Sequence, residues 1–385
     1  MSKGCSFCNV VANLSFMSSG AGSSPFGRDQ SKQYIEEAKI NGSCLVAIGC
    51  PGHILFPEPK DLSQKRFLTK AMFLNAQLSF GTPHAMDLIS LQNQGLKSLL
   101  WRMMELGAAP NVADFYPTFA GLDPQGIRRE ISECLKEMFG IWEIYIKERR
   151  EERHANAHNT SNTDFLGVFL SNGLDDDQIN WLVIELFSAG VDTPTTTVEW
   201  AIAELLKNKQ AMKTLQQELE TKINRNPIQE SQVSQLPYLT TCVKETLRLH
   251  PPAPLMIPHC STEACELMNF IVPKNTRVLV NAWAIGRDPL VWEDSELFKP
   301  ERFLDSSLDF KTQNFNFLPF GSGRRMCPGL PMATRQLPLI LASLIHCFDW
   351  SLPNGEDPAL LDMNDKFGIT LQKEQPLLIV PKRKL

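Results

Sequence analysis

The sequence lacks several features that would place it in a specialised class of protein. No run of about eighteen or more apolar residues occurs, so these 385 residues encode no transmembrane helix. The first residues, Met1 to Cys5, begin no apolar signal-peptide core. The formal net charge of −5 provides no concentrated basic face, so nucleic-acid binding is not expected. Only four Tyr accompany 22 Phe and seven Trp, which indicates an apolar interior suited to an apolar ligand.

A disulfide framework is also absent from the sequence. The ten cysteines are scattered without regular spacing, and a chain of this length can build a core without covalent cross-links. Free thiols in a reducing compartment are the simpler interpretation. The alternative for the front of the chain is a zinc site formed by Cys5, Cys8, Cys44, Cys50 and His53. Zinc sites usually present two tight pairs of ligands, which this set only approximates.

Apolar spacing divides the chain into an irregular front part and a regular helical remainder. Residues 1–95 show no sustained periodicity and contain a Ser/Gly/Pro breaker at 20–27. Apolar residues at helical spacing predict helices over 96–106, 127–150, 175–207, 211–224, 237–250 and 330–346. Strand character is expected at 269–281, and 367–380 is predicted to close the chain with a strand pair. The predicted fold class is therefore mainly α with a minor β component.

A glycine-rich segment containing one cysteine lies directly before the last predicted helix. It reads Phe320-Gly321-Ser322-Gly323-Arg324-Arg325-Met326-Cys327-Pro328-Gly329, with the spacing F-x-x-G-x-R-x-C-x-G. Glycine allows the backbone to bend tightly and to approach a flat ligand closely. A thiolate at a helix start is favoured by the helix dipole and suits a soft metal. Arg325 can pair with a carboxylate of the same ligand.

Two charged motifs precede the cysteine segment. Glu245 and Arg248 are three residues apart, which puts both on one face of the helix that ends at His250. Taken alone, they are most simply an exposed ion pair worth under about 1 kcal/mol. Arg302 follows in the short sequence Pro300-Glu301-Arg302-Phe303.

The long helix predicted over 175–207 has an unfavourable stretch in its middle, Ala189-Gly190-Val191-Asp192-Thr193-Pro194-Thr195. Pro194 has no N–H and leaves the carbonyl of Gly190 without its helical partner. The Thr193 hydroxyl competes for local backbone groups. The helix is therefore expected to open here, although a simple proline kink explains the stretch when it is considered alone.

These motifs, in this order, resemble those of the cytochrome P-450 superfamily, the heme-thiolate monooxygenases. The cysteine segment is similar to the family's heme-binding loop at every specified position. The resemblance implies a cytochrome P-450 fold, incomplete at the N-terminus, with heme b (iron protoporphyrin IX) attached through Cys327. Further heme contacts are implied for Phe320, Gly321, Gly323, Arg325 and Gly329, and for His259 at a heme propionate. A core phenylalanine and a surface histidine are the alternatives for Phe320 and His259.

The resemblance also assigns roles to the other motifs. It implies that Glu245, Arg248 and Arg302 form a buried charge network that supports the heme side of the fold. It implies that Asp192 and Thr193 supply protons while dioxygen is activated.

A substrate pocket follows from the same resemblance. The small Ala189 and Gly190 are expected to leave room for dioxygen and an apolar substrate. Two further apolar segments are expected to contact substrate, although core packing predicts the same composition: Ala253, Leu255 and Ile257, and Phe367, Gly368 and Ile369.

The implied activity is hydroxylation of a small apolar substrate with dioxygen and electrons passed from NADPH by cytochrome P-450 reductase. Segments 101–123 and 255–259 resemble the plant branch that contains geraniol and other terpenoid hydroxylases, so a terpenoid-like substrate is expected. An oxygen-independent heme-thiolate isomerase or dehydratase is one alternative, against which Asp192 and Thr193 argue. An inactive truncated relative, at most a heme binder or interaction module, is the other.

The front of the chain departs from the family pattern. The family's membrane anchor, its proline-rich hinge and its W-x-x-x-R helix have no counterpart, since Trp101 is followed by Glu105 at that spacing. We therefore expect 96–385 to be the catalytic, heme-binding region and 1–95 an atypical segment, with about 19–95 inserted by a retained intron or a gene-model error. The family implies the cytosolic face of the endoplasmic reticulum. Without the anchor, a cytoplasmic location is the alternative.

Overall fold

The computed structural model describes residues 95–116, 118, 121–155, 164–223, 228–310, 314–366 and 370–384. The predicted contacts at Phe367, Gly368 and Ile369, the zinc alternative and the predicted insert up to residue 94 lie outside these ranges. The described residues fall into two compact units. One contains the residues up to Val191 together with Pro258–Val278, and the other contains Asp192–Ile257 and Leu279–Leu385.

The described residues are mainly helical. Their α-helices are α1 (Gly95–Ala108), α2 (Val112–Phe115), α3 (Ile127–Ala155), α4 (Phe165–Ser171), α5 (Asp176–Lys207), α6 (Lys209–Ile223), α7 (Glu230–Val233), α8 (Pro237–Leu249), α9 (Ala282–Ile285) and α10 (Leu330–Cys347). Short strands pair antiparallel in twos: β1 (His259–Cys260) with β4 (Arg277–Val278), β2 (Cys265–Leu267) with β3 (Phe270–Val272), β5 (Phe348–Ser351) with β8 (Val380–Arg383), and β6 (Asp365–Lys366) with β7 (Gln372–Lys373). The predicted mainly α class with a minor β component is confirmed.

The closing strand pair was predicted wrongly. Strands β7 and β8 do not pair with each other, because β7 pairs with β6 and β8 pairs with β5. A short connection joins β6 to β7 and favours a hairpin between them. Pro376 lies between β7 and β8 and has no N–H to contribute to a ladder across that segment.

In the first unit, an aromatic core lies along α3 and the first half of α5. The Trp142 side chain is fully buried, and its ring centroid lies 5.8 Å from that of Phe187. Phe139 meets Trp181 edge-on, with 5.3 Å between ring centroids. Edge-to-face and tilted aromatic pairs contribute about 0.5–1.5 kcal/mol beyond the area that they bury. These contacts fix the first half of α5 against α3.

In the second unit, α6, α8 and α10 pack against one another. Leu215 of α6, Leu239 of α8 and Ile340 of α10 are each at most 1% exposed. Pro237 occupies the first turn of α8, where its missing N–H costs nothing. The bundle therefore carries both the helix with the Glu245/Arg248 motif and the helix that follows Cys327. Among the helices within the described ranges, none combines the length and apolar character needed to span a membrane.

Candidate functional site

The cysteine segment forms a tight loop whose shape depends on two glycines. Gly321 has φ 71° and Gly323 has φ 67°, a left-handed conformation that residues with a Cβ rarely adopt. The Cys327 N–H donates to the Phe320 carbonyl at 2.9 Å, and the Met326 N–H donates to the Gly323 carbonyl at 3.2 Å. These bonds close the loop and present Cys327 three residues before α10 begins.

The Cys327 side chain is exposed, although protein atoms lie close to its sulfur. Burial among the surrounding protein atoms raises the pKa of the thiol, while the backbone N–H groups of Gly329 and Leu330 oppose this shift by hydrogen bonding to it. A Cβ at Gly329 would lie 3.6 Å from the sulfur, an ordinary van der Waals contact.

This arrangement fits a metal ion that is carried by a flat cofactor. A cation at the sulfur removes much of the cost of ionising a buried thiol, and the two amide donors then stabilise the thiolate. The described part of the chain contains no group of three or more His, Cys, Asp or Glu side chains placed to hold a metal. A single thiolate presented in this way suits a metal whose remaining ligands come from a flat cofactor, as in heme.

Phe320 and Arg325 lie on either side of the loop's central turn. The Phe320 ring is half-buried and meets Phe310 edge-on, with 5.4 Å between centroids. The Phe310 ring lies in turn 5.8 Å from that of Phe317, which belongs to a separate buried cluster with Trp292 and Phe303. Arg325 is exposed, so its guanidinium is accessible to an anionic group. The aromatic contacts anchor the start of the loop, and Arg325 lies between its left-handed glycines and Cys327.

The structure brings Glu245, Arg248 and Arg302 together around one buried carboxylate. Glu245 is fully buried and accepts from Arg248 Nε at 2.7 Å and from Arg302 Nε at 3.0 Å. It also accepts from the Lys299 N–H at 2.8 Å. A buried carboxylate needs this many donors because it has lost its hydration.

Sequence reasoning missed Gly286. Its carbonyl accepts a hydrogen bond from the Arg248 side chain, and its lack of a Cβ lets this turn pass close to the Arg248 backbone. Arg248 Nη1 donates to the carbonyls of Gly286 at 2.5 Å and Ser295 at 2.7 Å. A Cβ at Gly286 would lie 2.3 Å from the Arg248 carbonyl oxygen, a distance that real structures do not tolerate. A lone glycine in a loop gives no sequence signal of such a distant contact.

Asp192 lies buried on α5, next to partners that the sequence did not indicate. Its carboxylate accepts from Thr370 Oγ1 at 2.5 Å and is 3.4 Å from Gln372 Nε2. Burial raises the pKa of the Asp192 carboxyl, and these two hydrogen bonds partly oppose the shift. The partners lie 178 and 180 residues away in the chain, a separation at which local patterns carry no information.

The predicted opening of the long helix at Pro194 is wrong. Helix α5 is continuous from Asp176 to Lys207, with Pro194 inside it. Thr193 is half-buried, and its carbonyl accepts from Thr197 Oγ1 at 2.8 Å. A hydroxyl in the following turn can thus donate a hydrogen bond to a helix carbonyl without interrupting the helix.

The first predicted substrate segment approaches the cysteine loop. Ala253 and Leu255 are half-buried and Ile257 is exposed. Met256 between them has φ 52°, which is unusual for a residue with a long side chain. Its sulfur lies 3.8 Å from the position that a Cβ would take at Gly321.

The remaining predicted site residues belong to the first unit. Ala189 is exposed and Gly190 is half-buried on α5. His259 is exposed in β1, opposite Val278 of β4. Their placement relative to Cys327 stays a prediction.

Comparison with known proteins identifies the family. The cytochrome P-450 family model matches residues 56–380. The (S)-N-methylcoclaurine 3'-hydroxylase isozyme 1 of Papaver somniferum is 47% identical over 287 residues, which cover 74% of this chain and 59% of the relative. Geraniol 8-hydroxylase of Catharanthus roseus is 45% identical over 292 residues, which cover 74% of this chain and 59% of that enzyme.

A solved structure has the same fold. A zebra fish cytochrome P-450 with progesterone superposes with a TM-score of 0.67 at 24% identity, covering 98% of this chain and 80% of that one. The chain spans about three-fifths of the length of the curated relatives it matches, 59% for each of the two enzymes compared. The sequence matches and the shared fold lead to one conclusion: this chain belongs to the cytochrome P-450 family.

Proposed function

We propose that this protein is a heme-thiolate monooxygenase that hydroxylates a small, largely apolar substrate of terpenoid-like size. The observation that carries the proposal is the accessible Cys327 sulfur, presented by a glycine loop and flanked by two amide donors. The names of two relatives support the reaction class, since they specify hydroxylation of an N-methylated compound and of geraniol.

Heme b held through Cys327 would supply dioxygen activation and insertion of one oxygen atom into a C–H bond. The amides of Gly329 and Leu330 limit the charge on the sulfur by hydrogen bonding to it. Arg325 would bind a heme propionate as a charge-assisted pair, and Phe320 would pack against the porphyrin. His259 is assigned to the other propionate by family resemblance.

Oxygen activation consumes protons, and Asp192 is the group we assign to their supply. A carboxyl whose pKa is raised by burial keeps its proton closer to neutral pH and can therefore donate it. Thr370 and Gln372 fix the orientation of the carboxyl. The adjacent Thr193 hydroxyl is the group assigned to pass the proton onward.

The substrate contacts are assigned by family resemblance together with exposure. Apolar side chains at these positions would exclude water and select an apolar skeleton. The residues assigned are Ala189, Gly190, Ala253, Leu255, Ile257, Phe367, Gly368 and Ile369. We assign the supply of electrons to NADPH–cytochrome P-450 reductase at the cytosolic face of the endoplasmic reticulum.

The proposal is tested by the carbon monoxide difference spectrum of the reduced, heme-loaded protein. We expect the red-shifted band of a thiolate-ligated heme in the wild type and its loss in Cys327→Ser. Cys260→Ser changes an exposed cysteine outside the loop and should retain the band.

Product formation that requires NADPH and dioxygen would then establish the monooxygenase reaction. A wild-type protein without the thiolate band would contradict the proposal and leave an inactive relative. Turnover without NADPH would contradict the monooxygenase assignment alone.

A further inference from the structure

Leu371 is held in place through both of its backbone polar groups. Its N–H donates to the Pro252 carbonyl at 3.0 Å, and its carbonyl accepts from Trp200 Nε1 at 2.9 Å. Leu371 is 3% exposed, so water competes little for these groups. The two peptide planes that flank Leu371 are therefore fixed, one against the segment that follows α8 and the other against α5.

The residues on either side of Leu371 are the hydrogen-bond partners of Asp192. Thr370 Oγ1 donates to the Asp192 carboxylate at 2.5 Å. Gln372 Nε2 lies 3.4 Å from the same carboxylate and 3.3 Å from Thr370 Oγ1. The Cα atoms of Thr370 and Gln372 each lie in one of the two fixed peptide planes. Fixing Leu371 therefore fixes the positions from which both side chains approach the carboxyl.

Trp200 is a rigid donor in this arrangement. Its side chain is fully buried, and the His250 ring stacks on it with 3.9 Å between centroids and 3° between planes. Lys373 Nζ lies 4.6 Å from the centroid of the same indole ring. A ring packed in this way cannot turn its N–H elsewhere, and a buried N–H requires an acceptor. The packing of the indole thus sets the direction of the bond to the Leu371 carbonyl.

Trp200 and Asp192 also belong to the same helix. Both lie on α5, and the eight residues between their positions correspond to about 12 Å along the helix axis. Helix α5 therefore contacts the short segment from Thr370 to Gln372 at two separate points. A segment bound at two points of one helix cannot slide along that helix or rotate about a single contact.

We infer that Trp200 is a positioning residue for the Asp192 carboxyl, because its indole N–H fixes Leu371 and thereby keeps Thr370 and Gln372 within hydrogen-bonding distance. The inference deepens the proposed function and rests on it only for the role of Asp192 in proton supply. Both side-chain bonds lower the pKa of Asp192 and oppose the effect of burial. Trp200 thus keeps a buried acid able to release its proton.

The test replaces the indole N–H by sulfur and leaves the shape of the ring unchanged. The substitution is Trp200→3-benzothienylalanine, and infrared titration of the heme-loaded protein measures the pKa of the Asp192 carboxyl. Asp192→Asn identifies the carboxyl band by its loss. We expect the pKa to rise by about half a pH unit, because the released backbone lets the two bonds to the carboxyl lengthen. Trp200→Phe also removes the N–H and should raise the pKa at least as much.

A second background separates positioning from packing. In protein that carries Thr370→Val and Gln372→Met, the Asp192 carboxyl has lost both partners, so Trp200 has nothing to act through. Trp200→3-benzothienylalanine should then leave the pKa of Asp192 at the value of that double variant. A change in packing alone would instead raise the pKa by the same amount in both backgrounds.

Trp292→3-benzothienylalanine is the matched control. Trp292 is also buried, and its Nε1 donates to the Ile285 carbonyl at 3.0 Å. The control removes a bond of the same kind that does not involve Leu371, so the pKa of Asp192 should stay unchanged. The inference would be overturned by no rise in the Trp200 variant, by an equal rise in the Trp292 variant, or by an equal further rise in the double-variant background.

The outcome is separable from that of the proposed function. A protein that lacks the thiolate band but shows the expected order of pKa values would overturn only the monooxygenase proposal. A protein that shows the band, but whose Asp192 pKa does not respond to the change at Trp200, would overturn only the positioning role.

Discussion

The hydrogen bonds and the pKa of Asp192 depend on residues that are distant in the chain. The sequence identified Asp192 through its place in the stretch from Ala189 to Thr195, but it did not indicate Thr370 or Gln372. A helix motif is local and can be recognised from spacing, whereas a hydrogen bond across 178 residues depends on the finished fold. The charge state of Asp192, and thus its fitness to donate a proton, is set by those distant partners as well as by burial.

At this scale we predict that Thr370→Val destabilises the protein by about 1–3 kcal/mol. It removes the closest donor to a buried carboxylate and leaves the acceptor unsatisfied. The same substitution should raise the pKa of Asp192 further, since the hydroxyl lowers it in the wild type. Chemical denaturation measures the first effect, and infrared titration of the carboxyl measures the second.

Thr221→Val is the matched control for this prediction. The Thr221 hydroxyl is exposed and, among the residues that the structure describes, bonds only to the Gln217 carbonyl of its own helix. Its loss should change the unfolding free energy by no more than about 0.5 kcal/mol. Equal effects of the two substitutions would show that the Thr370 hydrogen bond contributes nothing specific.

Helices were predictable from the sequence because their apolar periodicity and caps are local. The ranges predicted for α3, α5, α8 and α10 begin within about one residue of the observed helices. The strand partners were not predictable, since β8 pairs with β5 across about thirty residues of chain. The close approach of Gly286 to α8 was not predictable either, because no sequence pattern indicates that these two elements are in contact.

At the scale of elements we predict that Gly286→Ala lowers the unfolding free energy by about 1–3 kcal/mol or more. The new methyl would overlap the Arg248 carbonyl, so the loop would have to move away from α8 and stretch the hydrogen bonds to the guanidinium. Thermal and denaturant unfolding would both register the loss.

Gly140→Ala provides the opposite case for comparison. Gly140 lies exposed inside α3, and a Cβ there meets nothing within 4 Å. Alanine should therefore stabilise the helix by about 0.5–1 kcal/mol. If Gly286→Ala were as well tolerated as Gly140→Ala, the inferred contact would be wrong.

At the scale of the whole molecule, the family and its fold class followed from a few motifs, but the charges buried within the second unit did not. His250 stacks on Trp200 with 3.9 Å between ring centroids, and its Nε2 lies 2.7 Å from Glu204. Burial lowers the pKa of His250 despite the neighbouring carboxylate, and the charges of Arg287 and Lys373 lower it further. The sequence marked His250 only as the end of a helix.

We therefore predict that stability falls as the pH drops below about 6.5, the ordinary pKa of histidine. The unfolded chain takes up the His250 proton below this pH, whereas the folded chain resists it, so protons favour unfolding. The contribution of His250 is fully present above that pH and declines below it, by at most about 1.4 kcal/mol per pH unit. Denaturant unfolding across a pH series measures the slope.

The double variant His250→Phe with Glu204→Leu should flatten this dependence, because it replaces the buried pair by apolar groups and keeps a ring against Trp200. Glu143→Gln alters only an exposed ion pair and should retain the slope. An unchanged slope in the double variant would assign the acid sensitivity to other groups.

The two left-handed glycines of the cysteine loop have a further consequence. A Cβ at Gly323 would meet nothing within 4 Å, and one at Gly321 would meet only the Met256 sulfur at an ordinary 3.8 Å. Volume is thus no obstacle at either position, and the constraint lies in the sign of φ alone. These sites select for handedness: an amino acid of mirror-image chirality would suit the backbone, while its natural enantiomer would strain it.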